Sequence, residues 1–164
     1  MKKTLLFLAI SLASLSTLCA QNVHVGVGGG IPVGDSSETY SASVEATFSF
    51  LFDVNETFKV GPMASVHHYF GKEAGSGDNT FVYENVTFIP VGMEVRAKLS
   101  EKMYLGGEVA YGLGYSPAEN GLFYKPFLGY KISESLGVVA SFSRITSDSN
   151  NINSVNLGIN LLTF

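Results

Sequence analysis

Residues 40–52 read Tyr-Ser-Ala-Ser-Val-Glu-Ala-Thr-Phe-Ser-Phe-Leu-Phe. Successive side chains of an extended chain point to opposite faces. Tyr40, Ala42, Val44, Ala46, Phe48, Phe50 and Phe52 therefore share one face, and Ser41, Ser43, Glu45, Thr47, Ser49 and Leu51 share the other. Alternation this strict is a strand signal, not a helical one. The run is also long. Soluble strands average ~5–6 residues, whereas a tilted membrane strand needs ~9–11.

Outward from this stretch the pattern recurs, predicting further strands over 22–29, 58–70, 88–99, 103–115, 122–132, 136–145 and 154–164. In the fourth, Ile89, Val91, Met93, Val95, Ala97 and Leu99 oppose Phe88, Pro90, Gly92, Glu94, Arg96 and Lys98. The fifth sets Met103, Leu105, Val109, Tyr111, Leu113 and Tyr115 against Tyr104, Gly106, Glu108, Ala110, Gly112 and Gly114. Val23, Val25 and Val27 mark the apolar face of the first strand, and Val155, Leu157, Ile159 and Leu161 that of the last. Brief turns at 53–57, 100–102 and 133–135 take turns with more polar, often longer connections at 30–38, 71–79, 116–120 and 146–153. Eight strands with alternating connections predict an all-β, antiparallel up-and-down barrel.

The polarity of the two faces decides which way they look. A soluble barrel lines its interior with the apolar face, whereas a membrane barrel inverts that arrangement. Glu45, Lys59, Glu94, Arg96, Lys98, Glu108, Lys125 and Lys131 all fall opposite the aromatic-rich apolar face. One Lys or Arg facing lipid at mid-depth would cost ~2–4 kcal/mol, so such segregation is what lipid demands. Aromatics add two belts: Phe48, Phe50, Phe52, Phe58 and Tyr130 near the short turns, and Tyr40, Phe70, Tyr115, Tyr124 and Phe142 near the long loops. His68 and Arg144 fall in phase with the lipid face near the loop rim, where a cationic side chain can snorkel to headgroups. Pro62 and Pro126 fall inside strands and predict bulges or later strand starts.

The front of the chain reads as an address. Lys2 and Lys3 precede an apolar run from Thr4, and Leu18-Cys19-Ala20 forms a cleavage site before Gln21. Leu18 is too bulky for the small residue expected before an acylated cysteine, so Cys19 is read as leaving with the signal. The expected organisation is a cleaved signal peptide at 1–20 and a transmembrane barrel domain at 21–164. Cys19 is the only cysteine, so the mature chain can form no disulfide and no thiolate metal site. The whole chain has 10 basic and 14 acidic side chains, and losing Lys2 and Lys3 makes the remainder more acidic still. That balance excludes a nucleic-acid footprint.

These features resemble the small eight-stranded outer-membrane barrels: the transmembrane domain of outer-membrane protein A, outer-membrane protein X and the porin-like outer-membrane barrel domains. The resemblance covers 22–164 and rests on Ile89-Pro90-Val91-Gly92-Met93-Glu94-Val95-Arg96, on Gly106-Gly107-Glu108-Val109-Ala110-Tyr111-Gly112 and on the terminal Phe164. It implies an outer-membrane location, with short turns periplasmic and long loops extracellular. Its implied partners are outer-membrane lipids, lipopolysaccharide and, during biogenesis, the barrel-assembly machinery that reads the terminal aromatic. The barrel is expected to be a monomer. Phe164 shares its phase with Leu162 and Asn160 rather than with Leu161 and Ile159, so either a bulge resets the register near Leu161 or that signal is imperfect.

Chemistry on the inner face reads mainly as filling. The interior of an eight-stranded barrel is about filled by side chains. A symmetric hairpin over 100–102 places Glu94 opposite Glu108 with Arg96 beside them, and two such carboxylates invite an acid/base reading. Buried charges must be paired, however, so a network of Glu45, Lys59, Glu94, Arg96, Glu108 and Lys125 is expected, with Arg96 joined by Lys125 or Lys59 in neutralising the acids. His67 and His68 point to opposite faces and cannot chelate one ion together. No histidine follows His68, so the His-x-Ser pairing of lipid A deacylases has no counterpart in the later strands. The run from Val25 to Gly30 is followed by Ile31-Pro32 and is no dinucleotide fingerprint; it reads as room for the first strand to bend. Asp35, Glu38, Glu73, Asp78, Glu119 and Asp148 against Lys72 read as a solvated acidic loop surface rather than a divalent-cation site. No catalytic residue, cofactor or metal is expected. The leading reading is a barrel with a structural or surface-interaction role; a narrow ion channel, a lipid-modifying enzyme and a soluble periplasmic barrel are the alternatives.

Overall fold

In the computed structural model, residues 23–74, 81–115, 117–147 and 151–162 are described. Residues 1–22 with the expected signal peptide and Cys19, the acids Asp78 and Asp148, and Phe164 lie outside them. Eight long strands form the wall: β1 Val23–Pro32, β2 Tyr40–Phe50, β3 Phe58–Gly71, β4 Val86–Lys98, β5 Met103–Tyr115, β6 Gly121–Lys131, β7 Leu136–Thr146 and β8 Asn151–Leu162. Each pairs antiparallel with the next, and β1 pairs with β8, so the sheet closes on itself and has no free edge. Phe52–Asp53 prolongs β2 past Leu51 and pairs with the start of β3. A single helical turn, α1 at Ser36–Thr39, lies in the first long loop. In the second, Glu73–Ala74 pairs with Phe81–Val82.

Closure explains where the strands outrun the sequence expectation. The β1–β8 ladder runs on through Ile31↔Val155 and Pro32↔Ser154, which lengthens the first strand and shortens its loop. Alternation sorts the two faces as expected along most of the wall. Val27, Val91, Val109, Leu157 and Ile159 face outward and are exposed, while Glu94, Glu108, Phe123 and Lys125 face inward and are buried. Leu157 is 69% exposed and Glu94 0%. An apolar belt and a charged interior is the reverse of a soluble barrel.

Three local expectations are corrected. Tyr40 does not join the outer aromatic belt: the register shifts between Tyr40 and Ala42, and Tyr40 packs against Tyr69, ring centroids 5.7 Å apart. Pro62 and Pro126 cause no bulge. Pro62↔Met93 and Gly107↔Pro126 stand in unbroken registers, both prolines face outward, and the ladder simply lapses on the side where each donor is missing. Pairing of β8 likewise continues without a shift through Leu161 and Leu162, so no bulge resets the last strand there. In addition, the glycines of β1 make space for side chains of β8. A Cβ on Gly26 would lie 2.4 Å from Asn160 Oδ1, and one on Gly30 would lie 1.9 Å from Asn156 Oδ1. Bare backbone on β1 is what lets these amides enter the lumen.

Candidate functional site: the filled lumen

Inward-facing side chains stack in layers from the long-loop end to the short-turn end. Nearest the long loops, Tyr69, Val86, Phe88, Phe123, Ile145 and Ile152 form an apolar cluster, with Tyr40 packed on it. Below it lies a neutral polar layer. Ser154 Oγ donates to Asn156 Oδ1 at 3.0 Å, Asn156 Nδ2 donates to Ser143 Oγ at 3.1 Å, and the hydroxyls of Ser143 and Ser154 meet at 2.7 Å. Ser43 Oγ also donates to Asn156 Oδ1, and Tyr69 Oη touches Ser154 Oγ, both at 3.4 Å. These groups satisfy one another, as buried polar groups must.

The charged layer comes next. Lys125 Nζ lies 3.0 Å from Glu108 Oε1 and 3.2 Å from Glu45 Oε1, so one ammonium bridges two carboxylates from the opposite side of the barrel and the adjacent strand. It also reaches Thr47 Oγ1 at 3.5 Å. His67 Nδ1 approaches Glu45 Oε2 at 3.4 Å, and its ring rests on Phe123, centroids 4.9 Å apart. Glu94 and Glu108 are direct cross-strand partners. They nevertheless turn to different cations: Glu94 is held by Arg96 Nε on its own strand. Arg96 Nη1 is 3.5 Å from His24 Nδ1, and its guanidinium lies over Tyr104 and Phe127, 5.2 and 5.6 Å from the ring centroids.

Among the expected network residues, Glu45, Glu108 and Lys125 meet, and Glu94 and Arg96 form a second pair. Lys59 is not part of either. It pairs with Asp53 at 2.9 Å at the short-turn rim, because its strand has only just begun there. His68 faces outward and bonds Thr87 Oγ1 through Nδ1 at 2.8 Å, with its ring edge-on to Phe70. Arg144 also faces outward, its Nε donating to Thr146 Oγ1 at 3.2 Å. Sequence reasoning missed His24, the interior role of His67, and the Ser–Asn layer. The signal was present, since the alternation that puts Val23 and Val25 outside puts His24 inside.

Little room is left. A void of about 20 Å³ lies among His24, Glu45, Arg96, Glu108, Lys125 and Asn160, enough for one water-sized group. The two mouths are roomier. A crevice of about 460 Å³ lies under the long loops between Tyr40, Phe81, Tyr83 and Glu119. A smaller recess of about 80 Å³ opens at the short-turn end, beneath Arg96 and Tyr104. The described loops are tied down rather than splayed. Ser36 Oγ donates to Asn151 O at 3.1 Å and accepts from Asn153 N at 2.9 Å, Lys72 Nζ donates to Ser37 O, and Asn85 Oδ1 accepts from Gly71 N at 2.9 Å.

No protein-family model matches the sequence, and no curated protein matches it. Solved structures do match the fold. The attachment invasion locus protein Ail of Yersinia pestis is similar at 14% identity, with a TM-score of 0.55 over 85% of this chain and 95% of that one. Its form in a phospholipid bilayer nanodisc gives 14% identity and a TM-score of 0.56, over 86% and 98%. A de novo designed transmembrane β-barrel gives 13% identity and a TM-score of 0.54, over 86% and 94%. At this identity the likeness is one of fold: a closed eight-stranded barrel of the transmembrane type.

Proposed function

We propose that this chain is an integral outer-membrane barrel with a structural or surface-interaction role, exported by a cleaved signal peptide. The observation that carries the reading is the opposed polarity of its two faces. The exposed belt that includes Val27, Val91, Val109 and Leu157 has nothing to gain from water, and the lumen is closed by its own ion pairs. In this reading the short turns are periplasmic and the long loops extracellular. Lipids and lipopolysaccharide surround a monomer, and the assembly machinery acts during insertion. No catalytic role is assigned to the lumen acids, because Lys125 and Arg96 already engage them. Cell fractionation tests the proposal: the protein is expected in the outer-membrane fraction with heat-modifiable gel mobility, and recovery in the soluble periplasm would sink it.

The loops are the surface offered to partners. Ail has been solved in complex with the heparin analogue sucrose octasulfate. Here the described loops carry Asp35, Glu38, Glu73, Glu84 and Glu119 against Lys72, a balance that repels a polyanion and favours a cationic or neutral hydrogen-bonding partner. A second reading is a narrow ion path, supported by the polar side chains that run from Ser43 to His24. The 20 Å³ void opposes free diffusion of solutes. Planar-bilayer recording separates the two: conductance abolished by Glu94→Gln or Arg96→Gln would favour the channel.

A further inference from the structure

We propose that the crevice under the long loops binds a small organic ammonium ion, its apolar body on the crevice floor and its charge between aromatic rings and two carboxylates. The proposal deepens the reading of the loops as the surface offered to partners, and rests on it. The crevice has about 460 Å³, inside the ~300–1,000 Å³ typical of small-molecule sites. Its floor is the top of the apolar lumen cluster, where Phe88 is buried and Tyr40 packs against the cluster. Its walls come from the second and third long loops. Phe81 and Tyr83 supply aromatic rings, edge-on to each other with centroids 5.0 Å apart, and Glu84 and Glu119 supply carboxylates. Phe81, Glu84 and Glu119 are all exposed, so the fold itself covers none of them.

Charge complementarity selects the ligand. Among the described residues no Lys, Arg or His lines the crevice, and Glu84 and Glu119 join no ion pair. Of the cations toward the long loops, Lys72 Nζ donates to Ser37 O, and Arg144 Nε donates to Thr146 Oγ1 on the outer face. Residues 75–80, 116 and 148–150 contain Asp78 and Asp148 and neither Lys nor Arg. A purely apolar ligand would take water from two carboxylates without replacing it, and an anion would add repulsion. A metal ion needs several ligands, and no group of three or more metal-ligating acids or histidines exists among the described residues. An organic ammonium uses both kinds of wall at once. Its charge is attracted to aromatic faces within ~6 Å and to the carboxylates, while its hydrocarbon rests on the floor.

NMR titration of the full barrel tests the site, in uncharged maltoside micelles and after a check of heat-modifiable mobility. Three probes share a phenyl ring on a short chain: phenethylammonium, neutral phenethyl alcohol and anionic phenylacetate. At fixed ionic strength the ammonium is expected to shift the amides of Phe81, Tyr83 and Glu119 saturably, and to bind at least tenfold more tightly than either other probe. The double variant Glu84→Gln, Glu119→Gln should weaken ammonium binding at least tenfold. Asp35→Asn, in the first long loop but off the crevice, should leave it within twofold. Phe81→Leu keeps bulk but removes a ring face, and should weaken the ammonium several-fold and the alcohol little. If the double variant loses heat-modifiable mobility, the ranking of the three probes on the unaltered protein carries the test. Equal binding of ammonium and alcohol overturns the proposal, as does an equal loss from Asp35→Asn. Stronger competition by a trilysine peptide than by the amine also sinks it, assigning the acids to a protein partner. Absence of saturable binding by the folded barrel refutes the crevice site and leaves the outer-membrane reading standing, since only fractionation bears on that.

Discussion

The two halves of the lumen solve one problem with different chemistry. Toward the long loops the interior is packed like the core of a soluble protein, with Tyr69, Phe123 and Ile145 at no more than 1% exposure over a small Ser–Asn layer. Toward the short turns it is filled by Glu45, Glu94, Arg96, Glu108 and Lys125. Both halves leave little open space, but they differ in how tightly the parts depend on each other. Apolar packing degrades in proportion to the atoms removed. A charged cluster fails abruptly when one member goes, because its partners remain buried and uncompensated.

The largest effect should therefore come from Lys125→Met. It strips Glu45 and Glu108 of their shared cation and is expected to cost about 3–5 kcal/mol of unfolding free energy, measured by urea titration in lipid vesicles. Adding Glu45→Gln and Glu108→Gln should return most of that loss, since well-packed neutral replacements of a whole ion network are often close to neutral. A triple variant as unstable as Lys125→Met alone would break the comparison. It would mean that the lysine stem, not its charge, fills the space.

The wall supplies the next effect. Val91 faces outward and is about half exposed, and Val91→Arg should cost about 2–4 kcal/mol in bilayers if that position lies at mid-depth. The same substitution at Leu99, beyond the end of β4, should cost less than half as much, because its charge can reach the headgroups. Equal losses at the two positions would contradict a mid-depth place for Val91 and a headgroup-level place for Leu99.

How much of this was legible in the sequence follows from which constraint is local. Facing is local: two-residue periodicity assigns Glu94, Arg96, Glu108 and Lys125 to the lumen without knowledge of the partner strands. The Glu94↔Glu108 register was legible too, because a short turn joins their strands. Cross-barrel meetings were not. Lys125 reaches Glu45 across 80 residues of chain and Arg96 reaches His24 across 72, and both depend on how closure staggers the strands. Lys59 was misplaced for the same reason: its inward phase is correct, but its height puts it beside Asp53 at the rim. Tyr40 escaped because a register shift breaks the very periodicity used to place it.

The smallest effect separates inside from outside within one residue type. Ile145 is 1% exposed in the apolar half of the lumen, and Ile159 is 47% exposed on the outer wall. Ile145→Val removes one buried methyl from a closed space and should cost about 0.5–1.5 kcal/mol. Ile159→Val should stay within a few tenths, because lipid tails close over the missing methyl, whereas a rigid wall leaves a gap. Vesicle unfolding of the two variants side by side measures the difference. Equal, small losses would show that the loop-end half of the lumen is loosely filled, and the contrast between its two halves would then be one of charge alone.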